Sequence, residues 1–383
     1  MAPRPYRVAC NSGPVDLVEL AMRPPLAVVF AVTTLVHSPG PGLELRVDLE
    51  QRVDAAVVRL KDQIPGLSVA VVVDNRVAYA KGVGTISLGT PKPALADTQY
   101  RLASVTKAIT AVGVLKLVEQ GRVDLDRPAK NYCPALSPLD GAPTVREFLL
   151  HQSGMRHTSD PEDETITGAV PRLASSLSNI VREPLRFRPG RKTLYTSWGY
   201  TALGCVIETV SGESYAQFIT RNVLTPGSMQ RTTFDEPTYA APNFSPGFRM
   251  RGGTLQPSIV VDTRFKMPAS GAISTVNDLA RFAIALFERR LVPEPFLREM
   301  LSTRPAPDDQ RRLFTAGWTI GPADLGTPGY NYNGSMEGTT AVLAILPERQ
   351  IAVALLANRE RFVPAVSPVV REALRAAIGL PPQ

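Results

Sequence analysis

The stretch YRLASVTKAITAVGVLKLVEQG, residues 100–121, decides how the rest of the chain is read. Val105, Ile109, Val112, Leu115 and Val118 recur at helical spacing, and Gly121 stands where a helix of that length would end. Ser104 and Lys107, at positions i and i+3, therefore share one face of the predicted helix. Ser104 falls at its amino terminus, where N–H groups without an intrahelical acceptor can stabilise the oxyanion formed when a serine attacks a carbonyl. Lys107 is the candidate base, provided that burial or a neighbouring cation holds its amine neutral. The chain has no other Ser-x-x-Lys. A helix cap and a solvated lysine would leave the same letters, so the pair acquires meaning only from partners elsewhere.

Those partners lie further along. FRPGRKTLYTSWGY, residues 187–200, places Tyr195 and Ser197 as a Tyr-x-Ser between a Pro-Gly turn and a helical run from Tyr200 to Val210. A lysine beside Tyr195 would push its phenol toward phenolate, able to take the serine proton and return it to a leaving group. Tyr332-Asn333-Gly334-Ser335 then precedes Met336-Glu337-Gly338 and a strand from Thr339. Gly334 in an edge strand lets a substrate approach the backbone closely, and the Ser335 N–H is the candidate second oxyanion donor. A packed tyrosine and an ordinary Asn-Gly turn are the plainer readings of these two stretches.

The surrounding chain supplies a frame for a cleft. Leu45 to Lys61 carries apolar residues near a 3.6 period and ends at Pro65-Gly66, which predicts a helix. Gly66–Val73 and Arg76–Val83 are valine-rich runs joined at Asp74-Asn75, a hairpin signal. Thr315–Ile320, Thr339–Leu346 and Ile351–Leu356 read as three more strands, and a closing helix runs to Ile378 with Ser367 as its expected cap and Pro368 at its first position. The expected fold class is therefore α+β: a sheet built from both chain ends and flanked by helices, with a mainly helical region, about residues 105–310, inserted between them.

Composition narrows the function classes. With 44% hydrophobic and 20% charged residues the chain is neither disordered, collagenous nor a coiled coil. The formal charge is +7, but only 8 of the 42 basic residues are lysines and the arginines are spread from Arg4 to Arg375. The densest basic group, Arg182 to Lys192, is broken by Pro184 and Pro189, so no nucleic-acid partner is expected. Cys10, Cys133 and Cys205 form no metal or redox spacing, although a Cys133–Cys205 disulfide stays open. His37, His151 and His157 make no HExxH and read as hydrogen-bonded structural residues, so neither a metal nor a cofactor is expected. Dinucleotide, P-loop and GxSxG marks are missing.

At the amino end, Leu26–Val36 is an apolar run of 11 residues, too short to span a bilayer and suited to a signal-peptide core. Met22 and Arg23 just before it would give a compact leader if translation began there. Residues 1–43 are thus read as a signal peptide or amino-terminal anchor, 44–383 as one catalytic domain, and the protein as exported, periplasmic or extracellular, with membrane association only through that anchor. From Met155 to Asn179 the acidic group Asp160, Glu162, Asp163 and Glu164 marks a loop that overhangs the cleft or is simply solvated.

The order and spacing of Ser104-x-x-Lys107, Tyr195-x-Ser197 and a glycine-containing edge-strand motif before a carboxy-terminal helix resemble the serine beta-lactamase and penicillin-binding-protein superfamily, in its class C-like branch. That branch includes esterases, D-amino-acid peptidases and the mitochondrial serine beta-lactamase-like protease. The resemblance covers roughly residues 45–380, including FLLHQSGM, PGSMQRTTF and MPASGAISTVNDLARF. It implies a beta-lactamase/transpeptidase-like antiparallel sheet. It also implies Ser104 as the acylated nucleophile, Lys107 as its base, Tyr195 as proton shuttle, the N–H groups of Ser104 and Ser335 as oxyanion hole, and Ser197 as a substrate or lysine partner. The substrate would be a small molecule or peptide, and oligomeric state is not implied.

Two positions depart from the superfamily pattern. Ser197 stands where asparagine is frequent, a mild change, since a hydroxyl also donates and accepts. Tyr332 stands where lysine or histidine is usual, and a phenol with a pKa of about 10 supplies no cation at neutral pH. Beta-lactams and D-Ala-D-Ala peptides carry a carboxylate, so an esterase or peptidase on other acyl substrates is expected ahead of a true beta-lactamase or carboxypeptidase. The latter would need a cation from elsewhere in the cleft. A non-catalytic scaffold would follow only if Lys107 or Tyr195 pointed away from Ser104.

Overall fold

Both chain ends do build one sheet. A computed structural model describes residues 41–89, 91–158, 170–259, 261–311, 313–321 and 323–382. The apolar run Leu26–Val36 and the acidic group at 160–164 lie outside them. Seven strands are all paired antiparallel, in the spatial order Arg76–Gly84, Gly66–Val73, Ile351–Ala357, Thr339–Leu346, Tyr330–Met336, Trp318–Ile320 and Phe314–Thr315. The Asp74-Asn75 turn is as its residue types require, with φ of 50° and 59°.

Successive side chains of the central strands enter two different cores. Val69, Val71, Val342, Ala344, Val353 and Leu355 pack with Leu49 and Val53 of the Pro41–Val58 helix and with Val366 and Val369 of the Val363–Ala377 helix. Ala70, Val72, Ala341, Leu343, Ala354 and Leu356 face the helical region instead. Burial of both faces explains why these strands read as continuous apolar runs rather than alternating ones.

The Thr106–Glu119 helix lies at the centre of the helical region, and its buried residues run without a break from Thr106 through Leu115. It is therefore a core helix, not the one-sided stripe its spacing suggested. It ends as Gly121 predicts. With Gly121 at φ +67°, the N–H of Arg122 bonds Leu117 O at 3.0 Å and that of Gly121 bonds Val118 O at 2.9 Å, which closes the last turn. A short 3₁₀ turn, Ala103–Val105, precedes it.

Two expectations are corrected. Thr315–Ile320 is a tight hairpin, not one strand, because Gly317 takes φ +84° and comes so close to the serine helix that a Cβ there would lie 2.7 Å from Ala111 Cβ. The closing helix starts at Val363, with Pro364 in its first turn. Ser367 is inside it, its hydroxyl bonding back to Val363 O at 2.7 Å, and Pro368 is also internal. Pro364 satisfies the start requirement one turn earlier than Pro368 would.

Candidate active site

The serine turn is held from two sides. Ala103, just before Ser104, has φ +45°, a left-handed conformation that costs a non-glycine residue about 1–2 kcal/mol. Strain of this kind persists only where the surroundings fix it. Gly334 is part of that fixing: a Cβ there would sit 2.4 Å from Leu102 O and 3.0 Å from Ser104 N. No side chain fits between the Tyr330–Met336 strand and the serine turn, which brings Ser335 beside Ser104 at the cleft.

Ser104 Oγ lies 2.5 Å from Tyr195 Oη and accepts from Lys107 Nζ at 3.1 Å. Lys107 is fully buried, and Nζ also reaches Ser197 Oγ at 3.3 Å and Ala269 O at 3.0 Å. A neutral amine has two protons and one lone pair. Donating to Ala269 O and Ser197 Oγ would leave the lone pair aimed at Ser104 Oγ. Ser197, the shorter residue in the asparagine place, thus still reaches the lysine. Thr196 caps the Ser197–Ser211 helix, its hydroxyl accepting from Gly199 N, and this start aims Tyr195 and Ser197 at the same point.

Electrostatics favours proton transfer here. Burial lowers the Lys107 pKa, opposed by Tyr195 and assisted by the Lys266 charge. Burial alone would raise the Tyr195 phenol, but the Lys107 charge beside it and the hydrogen bond with Ser104 bring it below its ordinary value. The two groups act as a coupled pair.

Ser335 is exposed in the cleft, its hydroxyl accepting from Arg361 N at 2.9 Å. The two-residue turn at Glu337-Gly338 makes Met336 and Thr339 a hydrogen-bonded pair, and the alternation then turns the Ser335 N–H away from the Thr339–Leu346 strand. The neighbouring Trp318–Ile320 strand pairs only with Tyr330 and Asn331, so that side of Ser335 opens on the cleft. The cleft holds about 360 Å³ and is lined by Ser104, Tyr195, Ser197, Lys266, Asn333 and Ser335, among others. A larger depression of about 790 Å³, between the Pro41–Val58 and Val363–Ala377 helices, has no lysine, histidine or tyrosine among the described residues of its lining.

Of the predicted residues, Lys107 and Gly334 are not part of the cleft lining, and neither is Tyr332. It is 2% exposed and its hydroxyl lies 3.2 Å from His151 Nε2. Sequence reading passed over His151, His157 and Lys266 as site residues. His157 Nδ1 accepts from Ser197 N at 3.2 Å, and its ring meets Tyr195 edge-on at 4.9 Å. FLLHQSGM carried the one signal for His151, and its role became visible only once strand and helix were brought together.

Residues 49–377 match the Beta-lactamase family, and the chain belongs to it. Fold and site together place it in the serine beta-lactamase and penicillin-binding-protein superfamily. Among its relatives, protein flp of Staphylococcus aureus strain MW2 is 24% identical over 344 residues, 83% of this chain. The match spans only 65% of flp, just under two thirds. The octameric penicillin-binding protein homologue from Pyrococcus abyssi superposes with a TM-score of 0.74 at 27% identity, covering 88% of this chain and 78% of that one. EstCE1, a hydrolase with promiscuous acyltransferase activity, has a TM-score of 0.75 at 20% identity over 87% of this chain and 99% of its own, a likeness of fold.

Proposed function

We propose that the protein is a serine hydrolase that forms an acyl-enzyme on Ser104 and acts on an ester or on an amide or peptide. The observation carrying this reading is that Ser104 Oγ has both Tyr195 Oη and Lys107 Nζ within hydrogen-bond distance. In acylation Ser104 Oγ attacks the substrate carbonyl as its proton passes to the Tyr195–Lys107 pair. The N–H groups of Ser104 and Ser335 stabilise the oxyanion. The carbon–oxygen or carbon–nitrogen bond breaks, and the same proton goes to the leaving alcohol or amine. Water then attacks the acyl-enzyme, gives a proton to the pair, and that proton returns to Ser104 as the acid leaves. The scaffold reading needs Lys107 or Tyr195 turned away from Ser104 and has no geometric support.

Tyr332, buried against His151, offers no cation to a substrate carboxylate, which supports ester or peptide substrates ahead of lactams. One observation favours the lactam or carboxypeptidase reading: Lys266 lines the cleft. Turnover of p-nitrophenyl acetate, an amino-acid amide and penicillin by wild type, Ser104→Ala and Lys266→Met separates these. Ester or amide turnover that disappears in Ser104→Ala and survives in Lys266→Met is expected. Penicillin turnover that depends on Lys266 would move the assignment to the second reading.

We also propose that the chain works in an oxidising compartment after export. The Cys133–Cys205 disulfide, with Cα atoms 5.7 Å apart, supports this.

A further inference from the structure

The Tyr330–Met336 strand is a ruler laid along the cleft. Its Tyr332 end is the end by Tyr195: the Tyr332 hydroxyl lies 3.2 Å from His151 Nε2, and the His151 ring has its centroid 4.7 Å from that of Tyr195. In the middle, Gly334 abuts the serine turn, where a Cβ would sit 3.0 Å from Ser104 N. The far end, past Met336, is closed by the segment carrying Gly247 and Ser258. A Cβ on Gly338 would meet Ser258 Cβ at 2.7 Å and Gly247 Cα at 2.9 Å.

A substrate carbonyl held between Ser104 and the Ser335 N–H is oriented by this order. Its leaving group takes a proton from the Tyr195–Lys107 pair and so lies toward the Tyr332 end. The acyl part then extends the other way, toward Met336 and Glu337, both of which line the cleft.

Glu337 is the one carboxylate among the described residues of that lining. It is half-buried and takes no hydrogen bond or ion pair from any described residue. The turn does not need it, since Gly338 N donates to Glu360 Oε2 at 3.1 Å instead. A carboxylate partly removed from water without a partner carries a desolvation cost that a cation entering the cleft would offset. Glu337 follows Ser335 by two residues, about 7 Å along the strand direction, so its side chain reaches an acyl chain a few bonds from the carbonyl. Lys266, the lysine of the lining, belongs to the segment whose Ala269 O accepts from Lys107 Nζ, which ties it to the reacting centre.

We infer that Glu337 binds a cation on the acyl part of the substrate, and that the preferred substrates are esters or amides of acids bearing an ammonium group. The inference rests on the Ser104 acylation proposed above and specifies its substrate class. Tyr332 leaves one end of the strand without a cation for a carboxylate, and Glu337 gives the other end an anion. Charge selection is thereby moved from the leaving group to the acyl group.

The test compares kcat/KM for the methyl esters of β-alanine, butyric acid and succinic acid, the last as its monoester. These present an ammonium, a methyl and a carboxylate at the same place along the acyl chain. Wild type should prefer the β-alanine ester to the butyrate by about tenfold, the contribution of one hydrogen bond between charged groups. Glu337→Gln should remove that preference, and Glu337→Lys should transfer it to the succinate monoester. Added salt should shrink the wild-type preference, a readout that needs no variant. Acetylcholine and its uncharged carbon isostere differ on the leaving group instead, so their ratio should not depend on Glu337. Wild type that treats the β-alanine and butyrate esters alike, hydrolyses neither, or prefers the succinate monoester would overturn the inference. A preference that survives in folded Glu337→Gln would do the same, as would an acetylcholine ratio that falls in that variant, because the cation would then be on the leaving side. Ser104-dependent turnover of p-nitrophenyl acetate keeps the parent reading standing in each of these outcomes, whereas its absence removes both.

Discussion

Lys107 and Tyr195 share a proton problem that neither solves alone. The lysine is fully buried and held by Ala269 O and Ser197 Oγ, and the phenol lies beside it and 2.5 Å from Ser104 Oγ. Each lowers the barrier to the other's proton loss or gain, so the pair has apparent pKa values that belong to both. Both are lowered, and the proton-accepting form is therefore reached at a lower pH than for a free tyrosine or lysine. Tyr195→Phe keeps the ring packing against His151 and His157 but removes the oxygen. Its kcat/KM for an ester should fall about 10²- to 10⁴-fold with little change in melting temperature. Activity within tenfold of wild type would show that Lys107 alone takes the serine proton. Ser104, Lys107, Tyr195 and Ser197 were legible because each lies in a short motif at a helix start. The Tyr332–His151 pairing was not, since it joins residues 181 apart and depends on strand register.

The Tyr330–Met336 strand and the serine turn meet through Gly334. A methyl group there must displace Leu102 O or Ser104 N, both main-chain atoms that cannot swing aside. Gly334→Ala should cost about 1–3 kcal/mol as overpacking, and it should separate Ser335 from Ser104. The expected outcome is a drop in kcat larger than the stability loss explains, read from kcat and urea denaturation together. Unchanged kcat would mean that strand position does not set the oxyanion site. At this scale the central strands and the Asp74-Asn75 hairpin could be read directly, because β-branched runs and turn residues are local signals. The Phe314–Ile320 hairpin could not, since Gly317 is there for its approach to another element. Nor could the start of the closing helix, where Pro364, not Pro368, stands in the first turn.

Across the molecule, the sheet from both ends packs one face against the helical region, and the Cys133–Cys205 disulfide closes a separation of 72 residues within that region. A loop of that length gives a cross-link worth about 2–4 kcal/mol through the unfolded chain. Replacing both cysteines with alanine should lower the melting temperature by several degrees while ester turnover at low temperature persists; an unchanged melting temperature would contradict this. Fold class was readable because apolar runs clustered at the two ends with helical patterns between them. The pairing of two distant cysteines was not, since cysteine spacing alone leaves connectivity open. The central claim, that this arrangement acylates Ser104, is tested most directly by mass spectrometry of the intact protein and its peptides after exposure to a fluorophosphonate. A single adduct on Ser104, absent from Ser104→Ala, is the predicted result. Folded wild-type protein that stays unmodified, or an adduct on another residue, would contradict the account.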